Sequence, residues 1–225
     1  GGLLALGCNV WNMAFYGCFI GGFLIWRMMN KKRMTKGTIT AASITGCIVG
    51  LQLGAFSVTI ETLLSGITEL PFTVFLGMMQ PIHLAIGLVE GLITAAVLVF
   101  IYEARPEILY GYEQADEKAA GRMSRKGTVT ALAVLALVIG GVVSLFASGY
   151  PDGLEWSMEK VAGTTELTAS GGVYQIAEKL QSMTAFLPDY AFKASDSAAG
   201  TSVSGIAGGI VVLAVCFGVC VLIKK

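Results

Sequence analysis

The sequence predicts an all-α fold, a polytopic membrane helix bundle with five spans. Three observations predict it. The chain of 225 residues is 55% hydrophobic and only 13% charged, far more apolar than an ordinary soluble domain. Apolar runs of about 20 residues, enough to cross a bilayer as a helix, recur five times. Lys and Arg are concentrated in alternate connections between those runs. The net charge of zero gives no bulk attraction for nucleic acid or an acidic surface.

The runs fall at 3–26, 39–64, 72–102, 128–148 and 203–223. The chain opens at Gly1 inside the first of them, with no basic stretch and cleavage site ahead. That argues against a signal peptide and predicts a fragment whose upstream part is missing. The third run is longer than a span needs. Its opening "PFTVFLGMMQ" predicts a re-entrant or interfacial stretch that ends at Pro81, a residue suited to the first turn of a new helix. Cys8, Cys18, Cys47, Cys216 and Cys220 all lie in apolar runs without paired spacing, and read as small hydrophobes.

The connections set the orientation. "RMMNKKRMTK" carries five Lys or Arg, Glu103 to Lys126 carries five more, and the chain ends in Lys224 and Lys225. These belong on the cytoplasmic side. Residues 65–71 carry none. Segment 149–202 carries three Lys against seven acids, which places it outside. Five crossings that start outside end inside, and the charges agree at every connection.

Glycines recur one turn apart at Gly17 and Gly21, at Gly46, Gly50 and Gly54, at Gly87 and Gly91, and at Gly205 and Gly209. Such spacing lets helix backbones approach closely in lipid and predicts a compact bundle.

The polar residues inside the spans are the candidate site. Asn9 and Asn12 lie three apart, which puts them on one face of an α-helix. Gln52 and Glu61 lie in the second span, Glu61 toward its outer end. The only histidine, His83, precedes Glu90 by seven residues. Two helical turns therefore separate them, about 10 Å along the axis, and they point roughly the same way. A carboxylate at mid-bilayer costs roughly 2.5–3.5 kcal/mol on insertion scales, so Glu90 needs an offset: a bond to Thr94 one turn on, or a partner outside this sequence. The topology gathers Asn9, Asn12, Glu61 and His83 toward the outer half of the bundle, where a protein that captures something from outside needs polar groups. Asn and His also commonly serve to bond neighbouring helices, and Glu61 equally suits an interfacial anchor. One histidine makes a poor metal site by itself.

The outer segment begins with a turn at Tyr150-Pro151-Asp152-Gly153. "LEWSMEKV" then continues with helical spacing and places Leu154, Trp156 and Met158 near the membrane surface. "GTTELTASGG" reads as polar and flexible, and "FLPDYAF" as a second turn. The segment is either a linker resting on the bilayer or a cap over the outer mouth.

These residues resemble a known family. "GGLLALGCNVWNMAFYG" and "HLAIGLVEGLITAAVLVFI" followed by "RPEIL" resemble segments of the CbiM/NikM family, the membrane substrate-capture subunits of energy-coupling-factor transporters for cobalt and nickel. The resemblance covers 1–109, and the transporter part is placed at 1–148. Residues 149–225, with "YPDGLEW" and a last span, resemble the PDGLE domain, similar in role to the small accessory subunit. The resemblance implies a multi-pass protein of a prokaryotic cell membrane that binds Co²⁺ or Ni²⁺ outside. It implies a transmembrane coupling subunit and cytoplasmic ATP-binding subunits as partners. It implies cobalt for cobalamin biosynthesis or nickel for metalloenzymes, and fusion to PDGLE leans toward nickel. The family's primary ligands, a Met-His start and a further histidine, lie upstream of Gly1. Asn9, Asn12, His83 and Glu90 match family motif positions as supporting residues, with no permanent cofactor.

No P-loop occurs in the sequence, so the chain is expected to be a non-ATPase subunit and no enzyme. Neither H-E-x-x-H nor G-x-S-x-G occurs. The competing reading is a proton-coupled carrier with Glu90 as relay.

Overall fold

The computed structural model describes residues 2–66, 70–114, 123–165, 171–192 and 199–223, and the described elements are helical. Five helices are long and apolar enough to cross a membrane: Leu4–Asn30, Lys36–Ser65, Phe72–Ala104, Arg125–Phe146 and Ala199–Ile223. They are termed the first to fifth long helices below. The expected bundle and its five spans are observed, each within a few residues of its predicted bounds. Lys118, Arg122, Glu166, Lys193, Asp196, Lys224 and Lys225, all used in the charge argument, lie outside the described residues. So does part of the segment read as flexible.

Two expectations are corrected. Phe72–Ala104 is one uninterrupted helix with Pro81 inside it, not a re-entrant stretch followed by a new helix. Proline in a helix loses one hydrogen bond and crowds the carbonyl four residues back. Membrane helices tolerate such positions because neighbouring groups re-satisfy the freed backbone. The first long helix is α-helical over Gly2–Asn9 and Trp26–Asn30, but Val10–Ile25 is wound as a π-helix. Its i→i+5 bonds change the angular step, so residues three apart no longer overlay. Asn9 is exposed while Asn12 is buried.

The chain divides into two compact units, Gly1–Ser124 with Tyr150–Ala177, and Arg125–Gly149 with Glu178–Lys225. In the first unit the glycine spacing does what the sequence predicts. A side-chain carbon on Gly21 would lie 3.0 Å from the Gly46 carbonyl oxygen, and one on Gly50 would lie 3.5 Å from the Gly17 Cα. On the other side of the second long helix, Gly87 and Gly91 would meet the Ile48 and Ile44 Cα atoms at 3.0 and 2.7 Å. The second long helix is thus held between the first and the third by glycine contacts on both faces. Thr35 starts it with a capping box closed by Thr38, and Gly66 ends it at φ 63°, a left-handed conformation that suits glycine.

Two apolar clusters fix the ends of this three-helix unit. Trp26, Met34, Ile39, Ala42, Tyr102 and Leu109 form one, at the end with the basic connection. Ala55, Leu70, Phe75 and Met79 form the other, and Leu154, Met158 and Val161 pack on it. Those three come from a short helix, Gly153–Ala162, that caps itself through Asp152 and Glu155. Asp152 accepts from the Leu154 and Glu155 backbone N–H groups at 2.8 and 2.9 Å, an N-cap arrangement with a reciprocal glutamate. Leu154 and Met158, expected at the membrane surface, lie instead against protein. Trp156 borders a shallow hollow with Gly77 and Pro81.

In the second unit the fourth and fifth long helices approach at glycines too. A carbon on Gly205 would lie 2.7 Å from the Gly140 carbonyl oxygen, and the Ser202 hydroxyl donates to the Gly141 carbonyl at 2.7 Å. Gly209 has nothing within 4 Å, so only the first glycine of that pair makes a contact. The second predicted turn is a single 3₁₀ turn, Pro188–Tyr190, with Tyr190 at φ 60°.

Candidate functional site

The three long helices of the first unit border an open-sided cavity of about 280 Å³. The second helix contributes Ser43, Gly46, Cys47 and Gly50 to its lining, the first contributes Asn12 and Gly17, and the third contributes Glu90 and Thr94. The glycines make the cavity possible: close backbone approach at Gly21 and Gly46 leaves side chains above and below the crossing without partners to fill the space.

Asn12 is 5% exposed. Its Nδ2 donates to Glu61 Oε2 at 3.0 Å, joining the first helix to the second. Its Oδ1 is buried with no hydrogen-bond partner among the described residues, which costs on the order of 1–3 kcal/mol. Glu61 is therefore bonded within the bundle, where the sequence left it between mouth and anchor.

Glu90 is exposed and faces the cavity. It makes no hydrogen bond or ion pair among the described residues. The bond to Thr94 weighed from sequence is not formed: Thr94 Oγ1 instead accepts from the Cys47 thiol at 3.7 Å.

His83 does not line this cavity. Its Nδ1 donates to the Met79 carbonyl at 2.8 Å, one turn back on its own helix. The rest of the ring lies under the short helix: a side-chain carbon on Gly153 would meet His83 Cε1 at 3.1 Å and Nε2 at 3.4 Å. The imidazole thus supports the packing of the Pro-Asp-Gly turn. Asn9 has no bonded partner among the described residues. Of the five candidates, the structure joins Asn12 to Glu61 and sets Asn12 and Glu90 on one cavity, with His83 and Asn9 apart.

Sequence reading missed Ser57 and Gln80, the latter as the partner of Gln52. Ser57 accepts from Trp11 Nε1 at 3.1 Å and from the Tyr16 hydroxyl at 3.4 Å. Gln52 Nε2 donates to the Gln80 carbonyl at 2.8 Å, and Gln80 Nε2 returns a bond to the Gln52 carbonyl at 3.3 Å. Each is a small polar group amid apolar residues, a signal present in the sequence but without a partner named. All five cysteines are free, yet the Cys47 thiol bonds to Thr94 and is not mere filler. Among the described residues, no three His, Cys, Asp or Glu side chains gather as a metal cluster.

Comparison with known proteins gives two family matches. Residues 1–108 match the CbiM family, the cobalt uptake substrate-specific transmembrane region, and residues 126–225 match the PDGLE domain. The chain is 34% identical over 218 residues to the fused nickel transport protein NikMN of Archaeoglobus fulgidus, covering 96% of this chain and 64% of that protein. It is 29% identical over 170 residues to the cobalt transport protein CbiM of Geobacter sulfurreducens, covering 72% of this chain and 48% of that protein. The chain thus spans between 48% and 64% of the length of these curated relatives. No solved structure matches it.

Proposed function

This chain joins a CbiM/NikM-type transmembrane region to a PDGLE domain, and from that premise we propose that it is the metal-capturing membrane subunit of an ATP-driven Co²⁺ or Ni²⁺ uptake system. A transmembrane coupling subunit and cytoplasmic ATP-binding subunits supply the energy. The basic connections face the cytoplasm and segment 149–202 faces outward. Residues 1–148 form the transporter part, and 149–225 form the PDGLE-like segment with its last span.

One observation carries the reading. Within the CbiM-matching region, the Asn12–Glu61 bond and Glu90 place polar groups on and beside a cavity that three close-packed apolar helices would otherwise leave dry. Ionisable groups inside a membrane bundle are costly and mark substrate or ion pathways. Asn12, Glu61 and Glu90 support this route, while His83 and Asn9 stand apart from it.

The test is uptake of labelled Ni²⁺ and Co²⁺ by cells that express the full-length chain with its partner subunits. Uptake that stops when the ATP-binding subunit is inactivated supports the reading. Glu90, unbonded beside the cavity, favours a second one, a proton-coupled carrier. That reading requires uptake that survives ATPase inactivation and follows the pH gradient.

A further inference from the structure

We propose that the helix Gly172–Thr184 is a membrane-surface helix, which lies along the lipid headgroup boundary with Val173, Ile176, Leu180 and Met183 turned into the acyl region. The inference goes beyond the uptake reading and rests only on the five membrane spans.

The residue pattern makes the helix two-faced. Those four apolar residues are spaced three, four and three apart, which sets them on one face of an α-helix. Gln175, Glu178, Gln181 and Ser182 occupy the rest of its surface. The apolar face is bare: Val173 is 85% exposed, Ile176 72%, Leu180 51% and Met183 69%. No residue of the helix is buried. A helix of 13 residues is marginal in water by itself, so this one needs a surface that takes up its apolar face. The preceding helix, Gly153–Ala162, has such a surface in protein, because Leu154, Met158 and Val161 pack on the cluster around Phe75 and Met79. Gly172–Thr184 has no comparable seat among the described residues.

Three observations identify the surface as lipid. The chain ties the helix to membrane elements on both sides. Ten residues before Gly172 it is still seated on the third long helix, and fifteen residues after Thr184 it enters the fifth at Ala199. The apolar face therefore stays within reach of the bilayer. Next, Phe186 and Tyr190 follow the helix and are 84% and 69% exposed, and aromatic rings, tyrosine above all, favour the headgroup level. Last, Lys179 follows Glu178 directly, so the two charges balance. Lys179 adjoins the apolar face, where its stem can lie on lipid while the ammonium stays in water. With no net charge on the helix, apolar area and not attraction to anionic lipid holds it to the surface.

The experiment uses the full chain reconstituted in neutral phosphatidylcholine vesicles. Leu180→Trp and Met183→Trp place a reporter on the apolar face, and Gln175→Trp and Ser182→Trp place one on the polar face. The emission of the unaltered chain, with its three tryptophans, is subtracted from each. Brominated phosphatidylcholine reports contact with lipid, and iodide on both sides of the membrane reports contact with water. For Leu180→Trp and Met183→Trp we expect lipid quenching about twofold or more above that of the polar-face pair, with iodide quenching in the reverse order. If Leu180→Trp fails to accumulate, Met183→Trp carries the comparison. Iodide quenching equal on both faces overturns the proposal, because the apolar face then meets water. Quenching of the apolar-face reporters by neither agent also overturns it, and assigns that face to a protein partner.

Discussion

The two ends of the three-helix unit are built on opposite plans. At the end with the basic connection, Met34 and Ile39 are fully buried. The Tyr102 hydroxyl donates to the Met34 carbonyl at 3.0 Å, Trp26 Nε1 donates to the Tyr110 carbonyl at 2.9 Å, and the Thr38 hydroxyl donates to Asn30 Oδ1 at 2.8 Å. Lys36 and Glu103 pair across the second and third helices. The buried polar groups there have partners, nearly all from adjoining elements. At the opposite end Asn12 keeps an unsatisfied oxygen, and Phe75 and Met79 are covered by a helix from far along the chain. One end is a fixed base. The other carries stored cost and a separately supplied cover, which is where a change of state meets least resistance.

The largest expected effect breaks the glycine contacts that both ends depend on. Gly54→Val should destabilise by on the order of 3 kcal/mol or more, because even the first carbon would lie 2.2 Å from the Asn12 carbonyl oxygen. Gly77→Ala, with nothing within 4 Å, should change stability by less than about 1 kcal/mol. Melting temperatures in detergent compare the two, and similar shifts would refute the assignment of glycine roles.

Next come changes at the base. Tyr102→Ala should cost roughly 3–5 kcal/mol, while Tyr102→Phe, which loses only the bond to Met34, should cost about 1 kcal/mol. The same melting assay distinguishes them. If Tyr102→Phe matched Tyr102→Ala, the hydroxyl and not the packed ring would govern this end.

At the other end stability and transport should part. Asn12→Leu removes the bond to Glu61 but also the orphaned oxygen, so the net change should be within about 1 kcal/mol. Metal uptake should nevertheless fall severalfold. A large drop in melting temperature with unchanged uptake would make Asn12 a packing residue.

The smallest effect is at Glu107, beyond the third long helix. A backbone N–H hydrogen bond and then the Arg105 guanidinium hold its carboxyl below the usual carboxylate range. Its pKa is lower folded than unfolded, so its contribution is present above the ordinary carboxylate pKa. It fades as pH falls through the depressed value. The group is exposed, so Glu107→Gln should only slightly flatten the acid limb of a stability–pH curve.

Much of this plan was legible beforehand because hydropathy and glycine spacing are local signals. The five spans and the close approach at Gly46, Gly50, Gly87 and Gly91 follow from residue types along one helix. Pro81 misled because a residue that breaks helices in water is tolerated inside a membrane helix. Asn9 and Asn12 misled because face sharing assumes α-helical winding, and this helix is π-wound. The partners Glu61 for Asn12, Cys47 for Thr94 and Gly153 for His83 were hidden for a different reason. They join residues of separate helices, and no spacing rule reaches across a helix boundary. Glu90 was the exception, since a carboxylate in an apolar run stands out wherever it faces.

The short helix Gly153–Ala162 has a consequence for synthesis. It seats on the third long helix, yet the chain supplies it only after the fourth long helix has been made. While ribosomal synthesis proceeds, the base can close as soon as Tyr102 and Leu109 emerge, but Phe75 and Met79 wait uncovered. The order of translation therefore leaves the polar end open for an interval in every newly made molecule. Within that interval a membrane chaperone or a partner subunit can reach surfaces that the finished protein hides.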